Sequence, residues 1–307
     1  MRLFTLSAAP LSLLLASSLA WSEPVSSTSG VGGDGLVIQV EAGDWGTASR
    51  DVVEVLLYSV AKELWVFFPG HALAPIRVIP GSGNPKVYYE KSTRGEYVVQ
   101  LTARNRRWAQ YAYQFAHEFC HVLSNFERKE FRHGDPVAPN QWFEESLCEA
   151  AALFTLKRMA VRWASEAPYP HWAGYAPALR EYADRLQSEP HRHAVRAMDL
   201  AAWVAQREQA LREDPYRRDD NEVCANALLP LFESNPARWE VLRYLNSHPG
   251  EASKPFVEYL AGWHRAVPEK HRRFLQQVSA LLVPGAVPGT RMDMASSERA
   301  AQGGMHN

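Results

Sequence analysis

His117 and His121 stand four residues apart in the stretch AHEFCHVL, with Glu118 between them. On a helix, residues i and i+4 project from one face, so both imidazoles can converge on a single metal ion at about 2.0–2.1 Å. Glu118 is turned by about 100° from His117, badly placed to join the same ion but able to reach a water beside it. This is the HExxH arrangement, in which two histidines hold zinc and the glutamate acts as general base. The surrounding QYAYQFAHEFCHVLSNF otherwise reads as a helix built to be buried. Polar groups left there without partners would cost roughly 2–7 kcal/mol each. A bound ion would remove that cost.

A catalytic zinc site needs a third protein ligand. NQWFEESLCEAAALFTL reads as a second apolar helix carrying three acids, Glu144, Glu145 and Glu149. Glu145 and Glu149 share a face, whereas Glu144 is turned about 100° away, towards Cys148. Glu145 is therefore read as the metal ligand. Glu149 is read as the acceptor of the free ring N–H of His117, fixing its tautomer. Acids gathered for a helix dipole would explain Glu144 and Glu145 equally well, but not Glu149, deeper in the helix among Leu147, Ala150, Ala151 and Ala152.

HEFCH followed by WFEESLCE resembles the gluzincin branch of zinc metallopeptidases, which includes the thermolysin and aminopeptidase N families. Trp142 and Glu145 match the W-x-x-E of their second motif. Glu144 stands where those families often carry Asn, and Glu149 where thermolysin-like members carry an acid behind a histidine. The upstream EYVVQLTA matches the edge strand that such enzymes place along the cleft, where a substrate can pair by strand addition. The resemblance spans roughly residues 50–160, and the interval from His121 to Glu145 is longer than is usual in these families. No Gly-Ala-Met-Glu-Asn exopeptidase signature precedes the motif. The resemblance implies a zincin-like fold, a Zn2+ cofactor, a peptide or protein substrate, and a Tyr or His donor for the oxyanion. Tyr169, His171, Tyr175, His191 and His193 follow the metal helices as candidates for that donor, but each reads first as an ordinary surface or packing residue, and none is assigned the role.

These residues need elements to position them. LVIQV (36–40) reads as a strand, TASRDVVEVLLYSVAKELWVFF as a helix, and PIRVI, KVYYEK and EYVVQLTA as β-rich pieces between turns. From Arg106 the pattern is helical, over 106–127, 141–165, 172–187, 191–213, 221–233, 236–247, 253–265 and 268–282. The expected class is α+β: a small N-terminal mixed sheet with a helix, then a mostly helical C-terminal half. A single metallopeptidase domain is expected over 36–283, with its sheet-containing part at 36–104 and its helical part at 105–283.

The flanks read differently. Residues 1–22 carry Arg2, an apolar run and small residues near Ala20, the pattern of a signal peptide cleaved near Ala20 or Ser22. The expectation is an exported protein, periplasmic or secreted, with no stable membrane span after cleavage. Residues 23–35 read as a Ser/Gly linker and 284–307 as a disordered tail. A formal net charge of −1 gives no electrostatic argument for nucleic acid or an anionic membrane.

Three cysteines, Cys120, Cys148 and Cys224, do not make a disulfide scaffold. Cys120 and Cys148 flank the ligands on two helices that must meet, so they pair either as a disulfide or as two buried thiols. The functional expectation is a zinc peptidase. The alternative is a zinc-stabilised binding or scaffold protein without turnover, for which a base at Glu118 has no purpose.

Overall fold

The first helix starts at a polar cap. Ser49 lies in extended backbone and its Oγ accepts the Val52 N–H at 3.4 Å, opening α1 (Arg50–Trp65). The computed structural model describes residues 35–129, 138–197 and 199–285. The expected signal peptide, nearly all of the linker and most of the expected tail lie outside those residues.

Four strands form one mixed sheet: β1 (Ile38–Val40), β2 (Ile76–Pro80), β3 (Lys86–Val87) and β4 (Tyr97–Leu101). Their order is β1-β2-β4-β3, with β1, β2 and β4 parallel and β3 antiparallel to β4. In register, Ile38 faces Ile76 and Val78 faces Val99. Such β-branched pairs suit a pleated, covered surface. The strand order corrects one expectation. EYVVQLTA supplies β4, which lies between β2 and β3 and is buried along its whole length. The antiparallel edge is β3, drawn from KVYYEK.

Helices α1 and α2 (Trp108–Leu123) pack on the sheet, and α2 packs in turn along α3 (Gln141–Glu166). Around α3 stand α4 (Ala176–Gln187) and α6 (Arg218–Glu233). Helices α5 (Leu200–Glu213), α7 (Phe256–Ala266) and α8 (Glu269–Leu282) complete the helical half. The α+β class is as the sequence pattern indicated. The helix expected over 191–213 is divided, because the Asp199 carboxylate accepts the Ala202 N–H at 2.9 Å and caps a new helix.

One set of buried apolar side chains runs from Leu36 in the sheet region to Leu282 in α8. Trp142, at the start of α3, is fully buried and sits 4.7 Å from the ring of Phe256. It anchors the end of α3 that carries the three glutamates. No helix among the described residues is long and apolar enough to cross a membrane.

Candidate metal centre

Both histidines project from the last two turns of α2, their ring centroids 5.1 Å apart. The facing first turns of α3 bring Glu145 between them. His117 Nε2 lies 3.1 Å from Glu145 Oε2, and His121 Nε2 lies 3.5 Å from Glu145 Oε1. Ligand atoms from His117, His121 and Glu145 all fall within 4.8 Å of one another. The three residues read as ligands are thus brought together.

Each imidazole also has a carboxylate behind it. His121 Nδ1 is 2.6 Å from Glu144 Oε1, and His117 Nδ1 is 3.7 Å from Glu149 Oε2. A carboxylate at Nδ1 favours the tautomer with the proton there, leaving the Nε2 lone pair for a metal. Glu149 stands on the Nδ1 side of His117, where the sequence reading put it, but at 3.7 Å it is beyond hydrogen-bond distance. Glu144 departs from that reading, since its carboxylate meets His121 instead of turning away. Side-chain length and the crossing of α2 with α3 let it reach a ring that helical phase alone would not assign to it.

These two acids are themselves fixed. Glu144 Oε2 accepts Lys129 Nζ at 2.7 Å and Asn246 Nδ2 at 2.8 Å, and Tyr259 Oη donates to Asn246. Glu149 accepts Arg192 Nη2 at 2.7 Å and the Tyr113 hydroxyl. Gln141 Nε2 donates to Glu145 Oε1 at 2.6 Å. Arg192, Asn246 and Tyr259 lie far from the motifs in sequence, and Lys129, although it stands between the two motifs, is brought to Glu144 only by the fold, so local spacing could not have found them. Gln141 could have been found, since it is one helical turn before Glu145.

The charges follow from this arrangement. Burial would depress the histidines, but the surrounding carboxylates reverse this, raising His117 well above its ordinary value and His121 to about 10. Burial would raise Glu149, yet His117 and Arg192 hold it down to about 2. Glu145 is likewise held well below the usual carboxylate range by the two imidazoles. Glu118 goes the other way. Burial raises its pKa, only partly opposed by His117 and His121.

The donor set of two imidazole nitrogens and one carboxylate, with a carboxylate behind each ring, fits a single zinc ion, and it stands at the wall of an open space. That space is a cavity of about 290 Å³ lined by His117, Glu118, Glu145 and Glu149. Its other walls are Asn84 and Pro85, just before β3, and Tyr216, Arg218, Asn221 and Glu222 around the start of α6. The Val87 N–H of β3 donates to the Glu118 carboxylate. None of Tyr169, His171, Tyr175, His191 and His193 lines this cavity, and the phenols that do are Tyr113 and Tyr216. His171 and Tyr175 line a separate pocket beside Thr47 and Trp108.

Cys120 and Cys148 meet behind the site as two free, buried thiols in hydrogen-bond contact. Of the two pairings that the sequence allowed, the structure has the thiols. A second His/Glu group, Glu189, His191 and Glu222, is ion-paired with Arg192 and with the Nε of Arg218 and reads as an ion-pair cluster.

No protein-family model matches the chain, and no curated protein matches it.

Proposed function

We propose that the protein is an exported, gluzincin-like zinc peptidase that hydrolyses peptide bonds with Glu118 as general base. The reading rests on one observation: both Nε2 atoms converge on Glu145 beside Glu118, at the wall of a cavity. His117, His121 and Glu145 would hold the metal, and Glu144 and Glu149 would orient the two rings. Zinc, when bound, supplies a Lewis acid that polarises a substrate carbonyl and makes water more acidic.

Glu118 takes a proton from the water that attacks the peptide carbonyl carbon. It then gives that proton to the leaving nitrogen as the C–N bond breaks, so the products are a carboxylate and an amine. Its raised pKa suits both halves of that task. Tyr216, the cavity phenol not committed to Glu149, is the donor for the developing oxyanion. The outer edge of β3 has no strand partner among the described residues and offers an extended substrate backbone hydrogen bonds next to Glu118.

Metal analysis of the purified protein, together with digestion of a mixed peptide library, tests the reading. About one zinc per chain and cleavage of the library are expected. Zinc without cleavage would favour the non-catalytic alternative, and absence of zinc would end the proposal. Export rests on residues 1–22, and N-terminal sequencing should find the mature chain beginning near Trp21 or Glu23.

A further inference from the structure

The wall of the cavity opposite α2 carries two polar groups that the reaction above does not use. Asn221 is only 5% exposed. Its Nδ2 donates to the Pro215 carbonyl at 2.7 Å, which fixes the amide orientation. Its Oδ1 is then buried without a hydrogen-bond partner among the described residues. Such an acceptor is costly to leave unmade, and here it belongs to a residue lining the cavity. The chemistry it lacks is a ligand N–H.

Arg218 lies one helical turn earlier, on the same side of α6. Its Nε donates to Glu222 Oε1 at 2.7 Å, and that carboxylate is held in turn by the fully buried Arg192 at 2.9 Å. The guanidinium is therefore braced at one end, while its side chain stays 68% exposed with its terminal nitrogens available. A braced guanidinium is suited to binding a carboxylate in a fixed orientation. The first turn of α6 also carries Asp219 and Asp220, the latter paired with Arg207 and Arg217, so the carboxylate preference rests on the Arg218 guanidinium and not on the helix end.

An N–H acceptor and a carboxylate clamp side by side match one common group, the C-terminal residue of a peptide. The volume of about 290 Å³ lies at the lower end of small-molecule pockets, roughly 300–1,000 Å³, and favours a short occupant. We propose that Arg218 and Asn221 form a subsite for the free C-terminal residue of the substrate, the guanidinium taking the α-carboxylate and Asn221 Oδ1 taking an amide N–H. This rests on the peptidase reading and deepens it: the enzyme would act at the carboxyl end of short peptides.

The test is calorimetric binding of N-acetyl-Ala-Ala, its C-terminal amide and its N-methylated form to the Glu118→Gln protein, zinc-loaded and chelated. The free acid should bind about 10- to 100-fold more tightly than the amide in both states, and Arg218→Gln should level the two. N-methylation of the last residue should weaken binding to the parent but not to Asn221→Ala. Equal affinity for acid and amide, no binding of either, or a preference that needs zinc and survives Arg218→Gln would overturn the subsite. Cleavage of internal bonds in amidated peptides at the rate of the free acids would also overturn it while leaving the peptidase reading intact. Retained acid preference in a protein that never hydrolyses would do the reverse.

Discussion

Glu144 Oε1 sits 2.6 Å from His121 Nδ1, while its other oxygen accepts the Lys129 ammonium at 2.7 Å. One carboxylate therefore orients the His121 ring and neutralises a lysine whose side chain is 1% exposed. Glu144→Ala should weaken zinc binding about 10- to 100-fold, as loss of a group behind a ligand does. It should also destabilise the fold by about 3–5 kcal/mol, because the buried lysine loses its counter-ion. Chelator competition and urea unfolding read the two effects separately. Unchanged values in both would show that this contact has no consequence.

Glu145 contacts both Nε2 atoms, so Glu145→Ala should lose zinc more completely than either Glu144→Ala or Glu149→Ala. Glu149→Ala should fall in the range of about 10- to 100-fold and leave Arg192 short of one partner. The order of zinc affinities across the three variants is the informative quantity. Tighter zinc in Glu145→Ala than in Glu149→Ala would move the third ligand elsewhere.

Glu118→Gln should keep both the fold and zinc, since among the described residues no hydrogen bond joins its side chain to the Nε2 atom of either histidine. Hydrolysis should drop about 10²- to 10⁴-fold, the usual contribution of a general base. A variant that cleaves at the parental rate would assign the base to another group.

The raised histidines predict a pH dependence. A histidine whose pKa rises on folding stabilises the protein fully below its ordinary value of 6.5 and loses that contribution as pH climbs through the folded value, about 10 for His121. The metal-free protein should therefore lose this stabilisation across that interval. Zinc needs both rings neutral, so binding displaces their protons and strengthens with pH. The rise in Tm on adding zinc should be larger near pH 9 than near pH 6, with protons released per zinc bound. An increment that shrinks with pH would mean that the rings are already neutral without metal.

Cys120 and Cys148 are buried side by side as thiols, so alkylation of the native protein should be slow and unfolding should expose both. Intact mass after alkylation in denaturant gives the count. Rapid labelling of either in the native state would contradict their burial.

Much of the candidate metal centre was legible in the sequence because its spacing is local. Helical phase alone puts His117 with His121 and Glu145 with Glu149 on common faces, and the apolar residues around them mark both helices as buried. The α+β class was legible for a similar reason, since alternating and 3.6-residue patterns are properties of single elements. The strand order was not. Which of KVYYEK and EYVVQLTA forms the edge depends on pairing between distant segments, and the structure puts β4 inside and β3 beside Glu118. The same holds for Glu144 against His121, Arg192 against Glu149, and Tyr216, Arg218 and Asn221 across the cavity. Each is a contact between elements, set by how α2, α3 and α6 pack, and no periodicity within one helix encodes which side chain a neighbouring helix will present.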